Sequence, residues 1–229
     1  VALIAVAGAT LITIRIIEPD GWPVGLFVAP SVVLRELLFG VAFATLLIGT
    51  CDVVLMFAAH ARHAPAAGLP WSELAAVFVP AAFHEELAFR GYLFQKLRSW
   101  NRGVGFAFST FVFALLHLGN DSVTPLALTN IALAGLLLAL AYERYQRLWF
   151  PIGIHLAWNI LSGPILGYPL SGYVPQTTLF TTTAHGAAWI TGGSFGIEGS
   201  AFMAIVEIAA IAWLGYHPRR NASKESSTP

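Results

Sequence analysis

"HEELAFRGYLF", residues His84–Phe94, sets two glutamates and an arginine inside a run that is otherwise apolar. Its first letters approach the zinc-protease helix pattern H-E-x-x-H, but position 88 is Ala88, so the second histidine of such a helix is missing. Whether these charges sit in water or in lipid decides the fold.

The surrounding chain points to lipid. Of 229 residues, 57% are hydrophobic and 10% charged, where a soluble domain carries about 25% charged residues. A membrane-spanning helix takes roughly 20 mainly apolar residues. Segments of that kind recur at about 1–17, 31–59, 71–97, 104–118, 125–142, 149–166 and 200–217. The expected fold is all-α, a polytopic membrane helix bundle of about seven spans around a central polar cavity. Residues 1–70 would form N-terminal spans, 71–217 the core and 218–229 a polar tail, "NASKESSTP" at its end reading as disordered. The chain opens at Val1, already in an apolar run and without Met, so residues are expected to precede it.

Local signals agree with this layout. Trp71, Trp100 and Trp149 fall at proposed span ends, where interfacial aromatics belong. Pro151 suits a first helical turn. "SGPILGYP" (Ser162–Pro169) breaks the sixth segment, and 168–199, rich in Gly, Thr and Ser and without Lys or Arg, reads as an extramembrane loop. Ten of the twelve basic residues fall on one side of the layout, leaving Arg62 opposite and Arg90 inside a helix. Positive charge favours the cytoplasm, so Lys96–Arg102, Arg144–Arg147 and the C-terminus are expected there. A soluble helical protein with a large core predicts no such alternation. The net charge of zero offers no basic face for nucleic acid. The single Cys51 excludes an intrachain disulfide.

A charge at the centre of a membrane helix costs about 2.5–3.5 kcal/mol on insertion scales, which makes each one a functional candidate. Glu86 and Arg90, four apart, share a helix face in the better orientation for an ion pair. Glu85 lies about 100° round the helix and is left free for chemistry. The plainer alternative is that all three only tie helices together. Two further segments carry polar residues at helical spacing: "FALLH" sets His117 on one face, and "HLAWN" sets His155 and Asn159 on another. Polar groups of a bundle turn inward because lipid offers them no partner, so these three helices can converge on one cavity. His84, Asp52 and Asn130 read as helix contacts. Asn120-Asp121-Ser122 fits the glycosylation pattern, and Glu207 has no evident partner.

Together, "EELAFR" (Glu85–Arg90), "FALLH" (Phe113–His117) and "HLAWN" (His155–Asn159) match E-E-x-x-x-R, F-x-x-x-H and H-x-x-x-N in order. In this the chain resembles the CPBP family, the CAAX proteases and bacteriocin-processing enzymes, which includes the Ras-converting CAAX endopeptidase. The resemblance covers about 71–166 and departs from no motif position. "GGSFGIEGS" (Gly192–Ser200) also resembles a loop of bacterial members.

The resemblance implies peptide-bond hydrolysis within the membrane, on a peptide or protein substrate that a lipid anchor could tether. It gives Glu85 the role of catalytic glutamate and His117 that of its partner in activating water. His155 and Asn159 would hold the oxyanion, and Glu86 and Arg90 complete the first motif. The alternative is a zinc site of Glu85, His117 and His155, since His₂Glu is a known catalytic set. The metal-free mechanism, with no obligatory cofactor, is preferred because Arg90 explains Glu86 better than a metal does. A bacterial inner membrane is the expected location. Two other functions stay open. One is a non-catalytic immunity or phage-exclusion scaffold. The other is a proton-coupled transporter, although no repeated halves are seen.

The layout carries one tension. At 1.5 Å per residue, Glu85 and His117 lie about 18–20 Å from their cytoplasmic ends, but His155 only about 9 Å. A shared cavity requires tilt or a sixth helix that starts deeper.

Overall fold

The computed structural model describes residues 2–18 and 24–216. His217 and the polar tail, with Arg219, Arg220 and Lys224, lie outside the described residues.

The described chain is mostly helical. Helix α1 is Ala2–Ile17 and α2 is Pro30–Ala58. The third apolar segment forms α3 (71–90) and a separate α4, Tyr92–Trp100. Helix α5 covers 102–116, α6 is Pro125–Tyr145 and α7 covers 149–165. The short α8, Ala188–Thr191, and α9, Ala201–Tyr216, complete the set. Helices α2 and α6 are long and apolar enough to cross a membrane; α1, α5 and α9 are apolar but shorter.

The third segment is not one straight span. At Gly91 the backbone leaves the helical region (φ −75°, ψ −142°), and a Cβ there would lie 2.0 Å from the Leu87 carbonyl oxygen. Only glycine permits this break, after which α4 begins. Its Tyr92 and Lys96 both donate to Glu18, just past the end of α1. The Lys96 contact holds the Glu18 carboxyl below the usual carboxylate range.

Start signals are local. Pro30 and Pro125 open α2 and α6, where a missing N–H costs nothing. Thr124 caps α6 by accepting from the Ala127 N–H (3.1 Å), and Asn101 caps α5 by accepting from Val104 (3.2 Å).

Helix α7 runs through the middle, with Phe150–His155 and Ala157–Asn159 all buried. Its closest neighbour is α2. A Cβ on Gly40 would lie 2.5 Å from the Phe150 oxygen, and one on Gly153 would lie 2.6 Å from the Leu37 oxygen. Two backbones in direct contact are the small-residue packing used between membrane helices. Gly153→Val should therefore force α7 off α2 and displace His155, two residues on. The expected loss is about 3 kcal/mol, the upper end of ordinary overpacking, read as a fall in melting temperature in detergent.

The start of the sixth apolar segment lies beneath a cover. The Leu148 N–H donates to the Gly25 oxygen (3.2 Å) and Trp149 Nε1 to the Leu26 oxygen (3.0 Å), so residues 24–26 lie across the start of α7. Gln95, midway along α4, donates to the Val24 oxygen (3.1 Å). The start of α7 and the middle of α4 thus meet at the same short segment.

The all-α expectation needs a correction. Arg62–Pro65 (β1) pairs antiparallel with Phe180–Thr183 (β2), Arg62 opposite Thr183. Two strands of four residues, more than a hundred positions apart, leave no helical or hairpin signature. "FTTT" does carry strand preference, two faces of which fit a half-buried pleat. Below this pair, Asp52 of α2 accepts from Tyr168 Oη (2.7 Å) and contacts His63 Nε2 (3.1 Å). Asp52, read as a helix contact, instead ties α2 to β1 and to the loop that carries Tyr168.

Candidate active site

Each helix that carries a motif also carries a π-helical turn. They lie at Leu74–Phe78 in α3, Phe108–Val112 in α5 and Leu161–Ile165 in α7. Such a turn inserts one extra residue and re-aims the side chains beyond it. Here the turns sit before Glu85, just before Phe113 and His117, and just after Asn159.

The three helices surround a cavity of about 500 Å³, lined by Glu85, His117, His155 and Asn159. The other two candidates lie behind its wall. Glu86 and Arg90 are both fully buried, joined Oε1 to Nη1 at 3.0 Å. Arg90 Nη2 donates to the Gly135 oxygen of α6 (3.0 Å), and its guanidinium lies 4.6 Å from the centre of the Phe113 ring. The same Oε1 of Glu86 accepts from His155 Nδ1 at 2.8 Å, while Oε2 has no hydrogen-bond partner.

These contacts fix which nitrogen faces the cavity. The Phe113 carbonyl can only accept, so Nδ1 of His117 carries the proton at their 2.7 Å contact and Nε2 keeps a lone pair. For His155, Nδ1 is committed to Glu86, and Nε2 lies 3.8 Å from Oε2 of Glu85. To donate from Nε2, the ring must carry both protons. Glu85 is 23% exposed. Asn159, at 7% exposure, makes no hydrogen bond to the described residues, so its amide is free to meet a ligand.

Among the described residues no three His, Cys, Asp or Glu side chains are grouped to hold a metal ion. The zinc set read from the sequence, Glu85, His117 and His155, shares the cavity without forming such a group.

One part of the cavity lining went unread in the sequence. Glu198, from "GGSFGIEGS", lines it together with Trp158, Ser171 and Asn120. Trp158 Nε1 donates to one Glu198 oxygen (2.7 Å); the Ser171 N–H (2.6 Å) and hydroxyl (2.7 Å) donate to the other. Glycines make that loop compact: Gly192 and Gly196 have φ of +86° and +99°, and a Cβ on either would lie 1.8 Å from a carbonyl oxygen. That glycine density was the available signal. Asn120 donates to the Ser171 oxygen (2.9 Å) and is half-buried. Asn130 donates to the carbonyls of Glu198 and Ser200, a helix-to-loop tie rather than a bond between helices. His84 binds the Pro80 oxygen (2.8 Å) and also reaches the cavity. Glu207 is buried in α9 with Oε2 unpartnered and lies away from the cavity wall.

The chain is apolar and mostly helical, with two helices long and apolar enough to cross a membrane, and comparison with known families agrees with a membrane setting. Residues 67–161 match the family model described as type II CAAX prenyl endopeptidase Rce1-like, a segment that contains all three motifs. Over this segment the chain is similar to the CAAX protease (CPBP) family, a membrane-integral family of peptidases acting on protein or peptide substrates. No curated protein and no solved structure matches the chain.

Proposed function

We propose that this chain is an intramembrane endopeptidase that hydrolyses a peptide bond of a membrane-associated peptide, using water activated by Glu85 and His117. The observation that carries the reading is the convergence of Glu85, His117, His155 and Asn159, from three helices, on one cavity. Glu85 takes one proton of the water while Nε2 of His117 accepts its other hydrogen. The water oxygen bonds to the carbonyl carbon, and the carbonyl electron pair moves to oxygen. Asn159 donates an N–H to that oxyanion, joined by Nε2–H of a doubly protonated His155; preorganised donors of this kind act where charge develops. Collapse of the intermediate breaks the C–N bond. The proton held by Glu85 passes to the leaving amine, giving a carboxylic acid and an amine. Glu86 and Arg90 hold His155 and α6 in place.

In this reading residues 71–217 form the catalytic core and 1–70 supply further spans. The bundle crosses a bacterial inner membrane about seven times, with Lys96–Arg102 and the C-terminus in the cytoplasm. The test is cleavage of a membrane-embedded peptide by purified chain in lipid nanodiscs, run in heavy-oxygen water. One labelled oxygen should enter the new C-terminal carboxylate, and His117→Ala should stop the reaction. A folded chain that cleaves no peptide of a broad membrane panel would remove the reading.

A further inference from the structure

The cavity's polar lining is unbalanced in charge. Glu85 and Glu198 bring two carboxylates to it, against one cation, the doubly protonated His155 beside Glu85, and no Lys or Arg among the described residues lines it. Arg90, the one arginine within α3, is fully buried, with Nη1 and Nη2 donating to Glu86 and Gly135. Glu198 is 5% exposed, yet the three hydrogen bonds to its carboxylate come from neutral groups, Trp158 and Ser171, and no described cation pairs with it. A buried charge without a counter-ion is costly. His117 and His84 add to the imbalance: each commits Nδ1 to a carbonyl of its own helix, which leaves Nε2 of the neutral ring as an acceptor. The wall is therefore rich in acceptors and negative charge.

We infer that this cavity selects peptides carrying a positive group, a Lys or Arg side chain or an α-ammonium, within about three residues of the scissile bond, and disfavours a carboxylate in the same place. Glu198 is the specificity-determining residue. The inference rests on the endopeptidase reading of the site and names its substrate class. The spacing comes from α7. Trp158, which holds Glu198, lies one turn beyond His155, a rise of about 4.5 Å, and both residues line the cavity. An extended peptide advances about 3.3 Å per residue. With the reach of the Trp and Glu side chains added, the negative charge falls one to three residues from a carbonyl held at His155 and Asn159. Like charges brought together in a poorly solvated site select strongly against the wrong partner. A chain end with a free carboxylate, as in a C-terminal tripeptide, is such a partner; an internal bond beside a basic residue is the favoured one.

The experiment uses the full chain in nanodiscs and quenched peptides that share one apolar segment. One set carries Lys, Gln or Glu within three residues of the bond; a second ends three residues beyond it in a free carboxylate or an amide. In the wild type, kcat/KM should fall about tenfold from Lys to Gln and again to Glu, and the amide should exceed the carboxylate by about tenfold. Glu198→Gln should compress each ratio to within about threefold, whatever its overall rate. The wild-type ratios carry the test alone where that variant does not fold. Equal or reversed ratios on cleaved peptides would overturn the inference and leave the endopeptidase reading standing. Where no peptide is cleaved, the endopeptidase reading falls. The affinities of the same peptides for Glu85→Gln then decide the inference, which fails without the order Lys, Gln, Glu.

Discussion

Glu85→Gln should abolish cleavage, a loss of about 10³-fold or more for a general base, while the protein inserts and melts as the wild type does. Glu85 makes no hydrogen bond to the described residues, and its one close charged neighbour is His155 at 3.8 Å. An amide of the same shape fits but cannot take a proton from water. Glu86→Gln should behave differently. Its Oε1 holds both Arg90 and His155 in a site with no exposure. Removing the charge leaves the Arg90 guanidinium unpaired in the protein interior, and breaking a buried pair costs about 3–5 kcal/mol. Melting temperature in detergent and single-turnover cleavage separate the two. Equal activity losses without a stability difference would contradict the division of roles between adjacent glutamates.

Asn159→Ala is the second large effect. Its amide has no protein partner among the described residues and lines the cavity, so truncation should leave stability close to wild type. Losing one oxyanion donor typically lowers kcat about 10²–10³-fold. KM should change little, because the donor acts on charge that appears only during reaction. His155→Gln is the less clean comparison, since it also strips Nδ1 from Glu86; it should lose stability as well as rate. Activity is expected to survive a strong chelator. One equivalent of zinc per chain, lost together with activity in His155→Gln, would instead make this a metalloprotease with ligands from three helices.

Much of the helical layout was legible because each apolar run exceeds what a soluble helix needs on one face. Pro151, read for a first helical turn, falls in the first turn of α7. The polar residues of α3, α5 and α7 were legible as a set because each pair is spaced to share a helix face. The features that escaped were set by contacts distant in sequence. The break at Gly91 depends on a close approach to the Leu87 carbonyl that only a residue without Cβ allows, which an apolar count over 71–97 cannot register. The cover over α7 comes from residues 24–26, some 120 positions away, through backbone carbonyls that carry no side-chain signal. Glu198 has no partner at helical spacing. Its donors, Trp158 and Ser171, meet it only after a glycine-rich loop folds back, so it read as one more loop residue.

The single oxygen of Glu86 that holds both Arg90 and His155, with Arg90 reaching on to Gly135, joins α3, α6 and α7 through one point. This restricts the paths by which such a chain can diverge. Changing any one of the three side chains strands the others, whereas replacing a buried polar set together with well-packed apolar residues is often neutral or stabilising. Descendants freed from the need to hold His155 in place would therefore shed Glu86, Arg90 and His155 as a block. Intermediates with only one of them altered would be short-lived.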